Sequence, residues 1–79
     1  MIIIKDLLNK IKWDKRESPR DYSIFYLDRV LNKLIQIPYT KIKKLESSFM
    51  VLDNEEETNI PLHRIKKVMK NNGVVWERK

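Results

Sequence analysis

The one histidine of this chain stands beside an arginine, His63-Arg64, inside the stretch Ile60-Pro61-Leu62-His63-Arg64-Ile65-Lys66-Lys67-Val68. A near copy runs from Ile37 to Leu45 and holds Thr40-Lys41 at the same two places. Both copies read Ile-Pro, three variable residues, Ile-Lys-Lys and an aliphatic residue. The frame therefore does not require histidine, and any chemistry lies in the difference between the copies. A guanidinium offers a planar fork of donors that fits phosphate oxygens, and an imidazole can donate to the same group. Backbone N–H groups at a turn add to such a site. The chemistry is anion binding, of phosphate above all. The plain alternative is a solvated or structural histidine, which is the commoner role for a lone one.

Arg29 follows Asp28 at the end of an aromatic, β-branched run. It reads either as a second phosphate ligand or as half of a weak ion pair at a strand end. Alternation puts Asp28 and Arg29 on opposite faces, so one of them faces a site. Asp28 could instead orient a neighbouring arginine or histidine. Tyr26, Trp13 and Trp76 are core or core-edge residues by type. Flanked by Lys12, Lys15, Arg16 and Arg78, the indoles could also stack on bases, and Tyr26 has the same two readings.

Other chemistries find little support. Gly73 is the single glycine, so there is no glycine-rich phosphate loop. One histidine and no cysteine make a zinc site improbable and rule out acid–base cleavage of RNA by two histidines within one chain. No nucleophile motif is present. Asn54-Glu55-Glu56-Glu57 could attract a cation, but an acidic hairpin turn explains it equally well. The reading is of a protein with no catalytic set, metal or cofactor. The enzymatic alternative is a weak phosphoesterase using His63 as its one general acid or base.

Several elements must position these residues. Ile4, Leu7, Leu8 and Ile11 form one stripe at helical spacing, predicting an amphipathic helix over residues 3–12 that closes one face of a sheet. Residues 14–21 are polar, contain a proline and read as a surface loop. Residues 22–29 alternate as a strand, with Tyr22, Ile24, Tyr26 and Asp28 on one face. In each copy Ile-Pro should end a strand, because proline lacks the N–H that a central ladder needs. The three variable residues form a short turn, most simply 3₁₀, with proline at its first position and outward side chains. The next isoleucine starts a new strand. Residues 46–48 and the Asn71-Asn72-Gly73 stretch then make hairpin turns. The predicted fold is α+β: an N-terminal helix on a mostly antiparallel, bent sheet or small open barrel of about six or seven short strands. Residues 1–79 read as a single domain.

The chain has 79 residues, enough for one modest core, and 42 % of them are apolar, as in globular proteins. The net charge of +6 favours polyanionic partners such as RNA, DNA or an anionic membrane, although lysine-rich surfaces also serve solubility or a hot habitat. No apolar run approaches the roughly 20 residues of a membrane span. Met1–Lys5 is too short for a signal peptide, and no cysteine calls for an oxidising compartment. A soluble cytoplasmic protein is expected.

Four blocks, Lys12-Trp13-Asp14, Tyr26-Leu27-Asp28-Arg29, Ile60 to Ile65 and Val74 to Arg78, occur in an order and spacing that resemble the RNA cyclic-group end recognition domain family. These are small archaeal proteins long described as uncharacterised, and the resemblance covers nearly the whole chain. It implies a small α+β module for RNA ends bearing a 2′,3′-cyclic phosphate. In larger relatives the domain is joined to phosphoesterase-type enzymes of RNA processing or repair. Arg29, His63 and Arg64 match the family's polar positions, with Asp28 beside them, and Trp13 and Trp76 match its aromatic ones. Many relatives carry glycine beside the Asp-Arg block, where this chain has Phe25 and Val30 around it.

Together these readings give a non-enzymatic RNA-binding module for the 3′ end, with RNA-processing or repair enzymes as possible partners and no membrane. Arg29, His63 and Arg64 would bind the phosphate, Asp28 and Arg78 would support them, and Tyr26, Trp13 or Trp76 would stack. The alternative is a protein-interaction or assembly module for an RNA-processing enzyme, in which the four blocks are mainly core.

Overall fold

A computed structural model of the chain describes residues 3–53 and 58–78. The acidic turn expected at residues 54–57 lies outside the described residues. The chain opens with helix α1 (Ile4–Trp13), and its stripe Ile4, Leu7, Leu8 and Ile11 is buried as its spacing predicts. A 3₁₀ turn at Pro19–Asp21 leads into β1 (Tyr22–Asp28). Strands β2 (Lys33–Pro38), β3 (Ile42–Leu45), β4 (Phe49–Leu52), β5 (Asn59–Pro61), β6 (Ile65–Lys70) and β7 (Gly73–Glu77) follow.

The seven strands form two antiparallel sheets, in the order β2-β1-β6-β7 and β3-β4-β5. This bears out the α+β expectation, with two open sheets rather than a closed barrel. The duplicated stretches explain how one chain builds both. The first corner (Tyr39–Lys41) carries the chain from β2 in the larger sheet to β3 in the smaller. The second (Leu62–Arg64) carries it back from β5 to β6.

Each corner is a 3₁₀ turn, as expected. The Ile42 N–H donates to Tyr39 O, and the Ile65 N–H donates to Leu62 O. Ile-Pro ends each strand and the three variable residues make the turn, as expected, but the proline caps that turn instead of taking its first position. Pro38 and Pro61 are the last residues of their strands, with φ of −71° and −59°, and each precedes its turn. Nor do all the variable side chains point outward. The first of each trio, Tyr39 or Leu62, is buried in the core, and only the other two reach solvent. An apolar first residue pulls the turn against the core, so the bend is held by burial as well as by proline.

One core joins the elements. Leu8, Ile11, Ile24, Met50, Ile65 and Val68 are fully buried, drawn from the helix and both sheets. The Tyr39 hydroxyl donates to Leu8 O at 2.7 Å, tying the first corner to α1. At the start of β1, the Tyr22 hydroxyl bonds the Glu17 carboxylate, which also pairs with Lys70 at 3.7 Å. The β6–β7 hairpin turns through Asn71-Asn72 rather than Asn72-Gly73. Asn71 adopts the left-handed conformation at φ 54°, its N–H held by Asp21 O at 2.7 Å.

Candidate functional site

The register of the larger sheet decides where the candidate ligands stand. Tyr26 pairs with Ile65, the residue that directly follows the second corner. β1 therefore ends, in Asp28, at the same end of the sheet where β6 leaves that corner, and the corner touches β1. Arg29 begins the turn after β1. The backbone thus brings Arg29, His63 and Arg64 to one end of one sheet.

Within the corner, Leu62 is the buried anchor, His63 is exposed and Arg64 is half-buried. The Arg64 Nε is fully shielded from solvent and has no hydrogen-bond partner among the described residues. A guanidinium nitrogen in that state is costly unless an acceptor reaches it. Arg78 braces the corner from outside. Its Nε donates to Ile65 O at 3.0 Å and its Nη2 to Leu62 O at 3.4 Å, while its Cζ lies 5.1 Å from the Trp76 ring centre. Its guanidinium is spent on backbone carbonyls at the two ends of the turn.

Asp28 shapes the neighbouring turn. Its Oδ1 accepts the N–H groups of Val30 at 2.9 Å and Leu31 at 3.0 Å, and Asn32 completes the turn at φ 53°. Arg29 is presented, exposed, by that turn. Asp28 thus positions Arg29 through the backbone.

The aromatic candidates part company. Tyr26 lies on the inner face of β1, half-buried against the core. Burial, and then the Asp28 carboxylate, push its phenol above the ordinary value. Trp76 packs on the core from β7. Trp13 is 73 % exposed at the end of α1, with the Lys12 ammonium 5.1 Å from its ring centre. The segment after it is anchored through Glu17 to Tyr22, at the end of β1 opposite Arg29.

A second feature escaped the sequence. Beside the first corner an open depression of about 390 Å³ is lined by Tyr26, Gln36, Ile37, Pro38, Lys41, Leu52 and Asp53. The Asp53 N–H donates to Lys41 O at 2.7 Å and closes that corner as Arg78 closes the other. Four separate segments build the hollow, and no spacing along the chain announces it. On the outer face of the same sheet, Lys67 lies 4.5 Å from the Phe25 ring centre, a pair that only the cross-strand register reveals.

Among the described residues no cluster of three or more histidine, aspartate or glutamate side chains could hold a metal, and no helix is long and apolar enough to cross a membrane.

A basic corner on a two-sheet α+β frame is the class of protein that the geometry defines. Residues 1–78 match the model of the MJ1316 RNA cyclic group end recognition domain, and the chain belongs to that family. It is 36 % identical over 78 residues to a UPF0248 protein of Saccharolobus islandicus, covering 95 % of this chain and 98 % of the relative. A UPF0248 protein of Metallosphaera sedula is 35 % identical over 75 residues, covering 95 % and 91 %. One from Saccharolobus solfataricus is 32 % identical over 78 residues, covering 95 % of each chain. None of these descriptions names an enzymatic activity. No solved structure matches the chain.

Proposed function

We propose that this protein binds RNA 3′ ends that carry a 2′,3′-cyclic phosphate, without catalysing a reaction, in RNA processing or repair. The family description supports RNA-end recognition, and one observation favours the second corner as its site. The Arg64 Nε is buried without an acceptor beside the exposed His63, at the sheet end that Arg29 shares. A cyclic phosphate is a monoanion with two free oxygens. Arg64 and Arg29 take those oxygens, and His63 donates to the phosphate or the ribose. Arg78 and Asp28 support them by fixing the corner and the turn from which they project. An aromatic stacks on the terminal base: Tyr26 is the nearest in register, and Trp13 and Trp76 are the other candidates. The net charge of +6 adds salt-sensitive affinity for upstream phosphates.

Two short RNAs, identical except for a cyclic phosphate or a hydroxyl at the 3′ end, test this by fluorescence anisotropy. The cyclic end should bind more tightly. Arg64→Ala should weaken it by about 2 kcal/mol, the scale of hydrogen bonds to a charged group. An exposed lysine changed to alanine should weaken both RNAs alike. Equal affinity for the two ends overturns end recognition. The assembly-module reading would then take over, favoured by the apolar tip Val30, Leu31 and Leu34, which is exposed beside Arg29.

A further inference from the structure

We infer that the open face of the larger sheet is a second RNA contact: Phe25 stacks on the penultimate base, and Lys67 takes the phosphate that joins it to the last nucleotide. The inference rests on the RNA-end reading and deepens it. Three observations carry it.

The first is an aromatic ring on an uncovered face. Tyr22, Ile24 and Tyr26 turn from β1 into the core, so alternation sends Ser23, Phe25 and Leu27 the other way. Helix α1 and the smaller sheet supply core residues to the inner face, and among the described residues Phe25 is outside that core. β1 and β6 are the two central strands of the sheet. Phe25 pairs with Gln36 of β2 on one side and with Lys67 of β6 on the other. Residues directly opposite share a face, so a row of three crosses the middle of the sheet with the ring at its centre. A ring on the solvent side of a central strand offers its face to a base, and stacking of this kind tolerates any of the four bases.

The second is the cation beside the ring. Glu77 of β7 faces Lys67 in the register, yet the Lys67 ammonium lies over the Phe25 ring, 4.5 Å from its centre, and forms no ion pair with that carboxylate. The ammonium therefore keeps its charge for a phosphate. When a base takes the ring, the flexible lysine moves aside to the backbone of the same strand. The other neighbour, Gln36, is exposed and uncharged. A protein partner would have to bury a lysine at the centre of its contact, where charged residues are depleted. A nucleotide uses the ring and the cation together.

The third is position. Along β1 the pair Phe25–Lys67 stands next to the pair Tyr26–Ile65, and Ile65 directly follows the second corner. Lys67 comes three residues after Arg64, so their Cα atoms lie within roughly 10 Å of each other. Phe25 is one strand spacing from Lys67, roughly 5 Å. A chain whose terminal phosphate rests at the second corner thus meets Lys67 and Phe25 within its next nucleotide.

The test uses short RNAs ending in 2′,3′-cyclic phosphate or 3′-hydroxyl, with an abasic ribose placed in turn at the penultimate position and three nucleotides further upstream. Binding to the full chain is read by anisotropy. With the cyclic end, the penultimate abasic site should cost about tenfold in affinity, the scale of one base stacked on an aromatic ring, and the upstream one little. Phe25→Ala should cost the intact RNA about the same and make the protein indifferent to the penultimate abasic site, whereas Phe25→Tyr should keep the wild-type pattern. Circular dichroism checks the fold, and Phe25→Leu, which keeps apolar bulk without the ring, serves in place of alanine if that variant does not fold. Lys67→Ala should lower the salt slope by about 0.7, the share of one phosphate on a single strand. Equal losses at the two abasic positions, a penultimate loss that Phe25→Ala leaves intact, or an unchanged salt slope in Lys67→Ala, each beside a kept cyclic-end preference, overturn the sheet-face contact alone. A loss that depends on Phe25 without any cyclic-end preference overturns the end reading and keeps the face as an RNA contact. Absence of binding to all the RNAs overturns both.

Discussion

The two Ile-Pro corners share a frame and differ in what closes them. The first is tied from within: Tyr39 reaches Leu8 of the helix, and the Asp53 N–H takes Lys41 O. The second is tied from without, by an arginine side chain that spans the carbonyls of Leu62 and Ile65. The isoleucine that leaves each corner differs in the same way. Ile65 is fully buried, whereas Ile42 is only half-buried at the start of an edge strand. The lesson is that the repeated motif is a device for passing between sheets. The corners differ at the last two places of each turn and in the charge of the neighbours of those places. At the second corner that charge is positive, with Arg64, Arg78 and Arg29 gathered at one sheet end. At the first it is balanced between Lys41 and Asp53.

The comparison can be broken most forcefully through its isoleucines. Ile65→Ala should cost about 3 kcal/mol in urea unfolding, and Ile42→Ala about half of that, because only the first leaves a cavity in the closed core. Equal losses would mean that the corners carry equal shares of the core.

A smaller effect tests the internal tie. Tyr39→Phe should cost about 1.5 kcal/mol, since Leu8 O loses a buried donor. The same residue gives the comparison a pH signature. Burial raises the Tyr39 phenol to about 12, and burial followed by the Glu17 carboxylate raises that of Tyr22 to about 12. Both folded values exceed the ordinary value of 10, so this stability is complete below pH 10 and is lost as pH climbs toward 12. Tyr39→Phe should flatten that alkaline decline in part, leaving the share of Tyr22. A decline of unchanged steepness would show that the Tyr39 phenol does not drive it.

The smallest effect on stability belongs to the external tie. Arg78→Ala should cost about 1 kcal/mol, as two partly exposed hydrogen bonds and a ring contact are lost. Its sharper consequence is for binding, because the corner that presents His63 and Arg64 loosens. Affinity for the cyclic RNA end should fall while affinity for the hydroxyl end holds. A parallel fall in both would reduce Arg78 to a general cation.

Much of this architecture was legible before the structure. The helical stripe, the aromatic strand and the two corners follow from periods of 3.6 and 2 and from the missing N–H of proline, all of which are local. That Pro38 and Pro61 cap their turns instead of opening them is a matter of strand length. Each proline still fits the ladder because its ring takes the place of a donor only at the strand's last residue. The turn at Asn71 was less legible, because Asn-Gly favours its own two residues as the turn. The Asp21 carbonyl, fifty positions away in the chain, fixes the choice one residue earlier.

The candidate site divides along the same line. The sequence determined that an arginine and the only histidine occupy the two variable places of the second corner, because composition and duplication need no coordinates. It also placed Arg29 at a strand end. Only the tertiary structure decided that this strand end and that corner meet, through the pairing of Tyr26 with Ile65 across nearly forty residues. It alone gave Arg78 to the backbone, Asp28 to its own turn and Asp53 to a hollow shared with Tyr26. The physical reason is range. Periodicity and proline act within a few residues, whereas register, burial and the meeting of charges depend on which strands the core draws side by side.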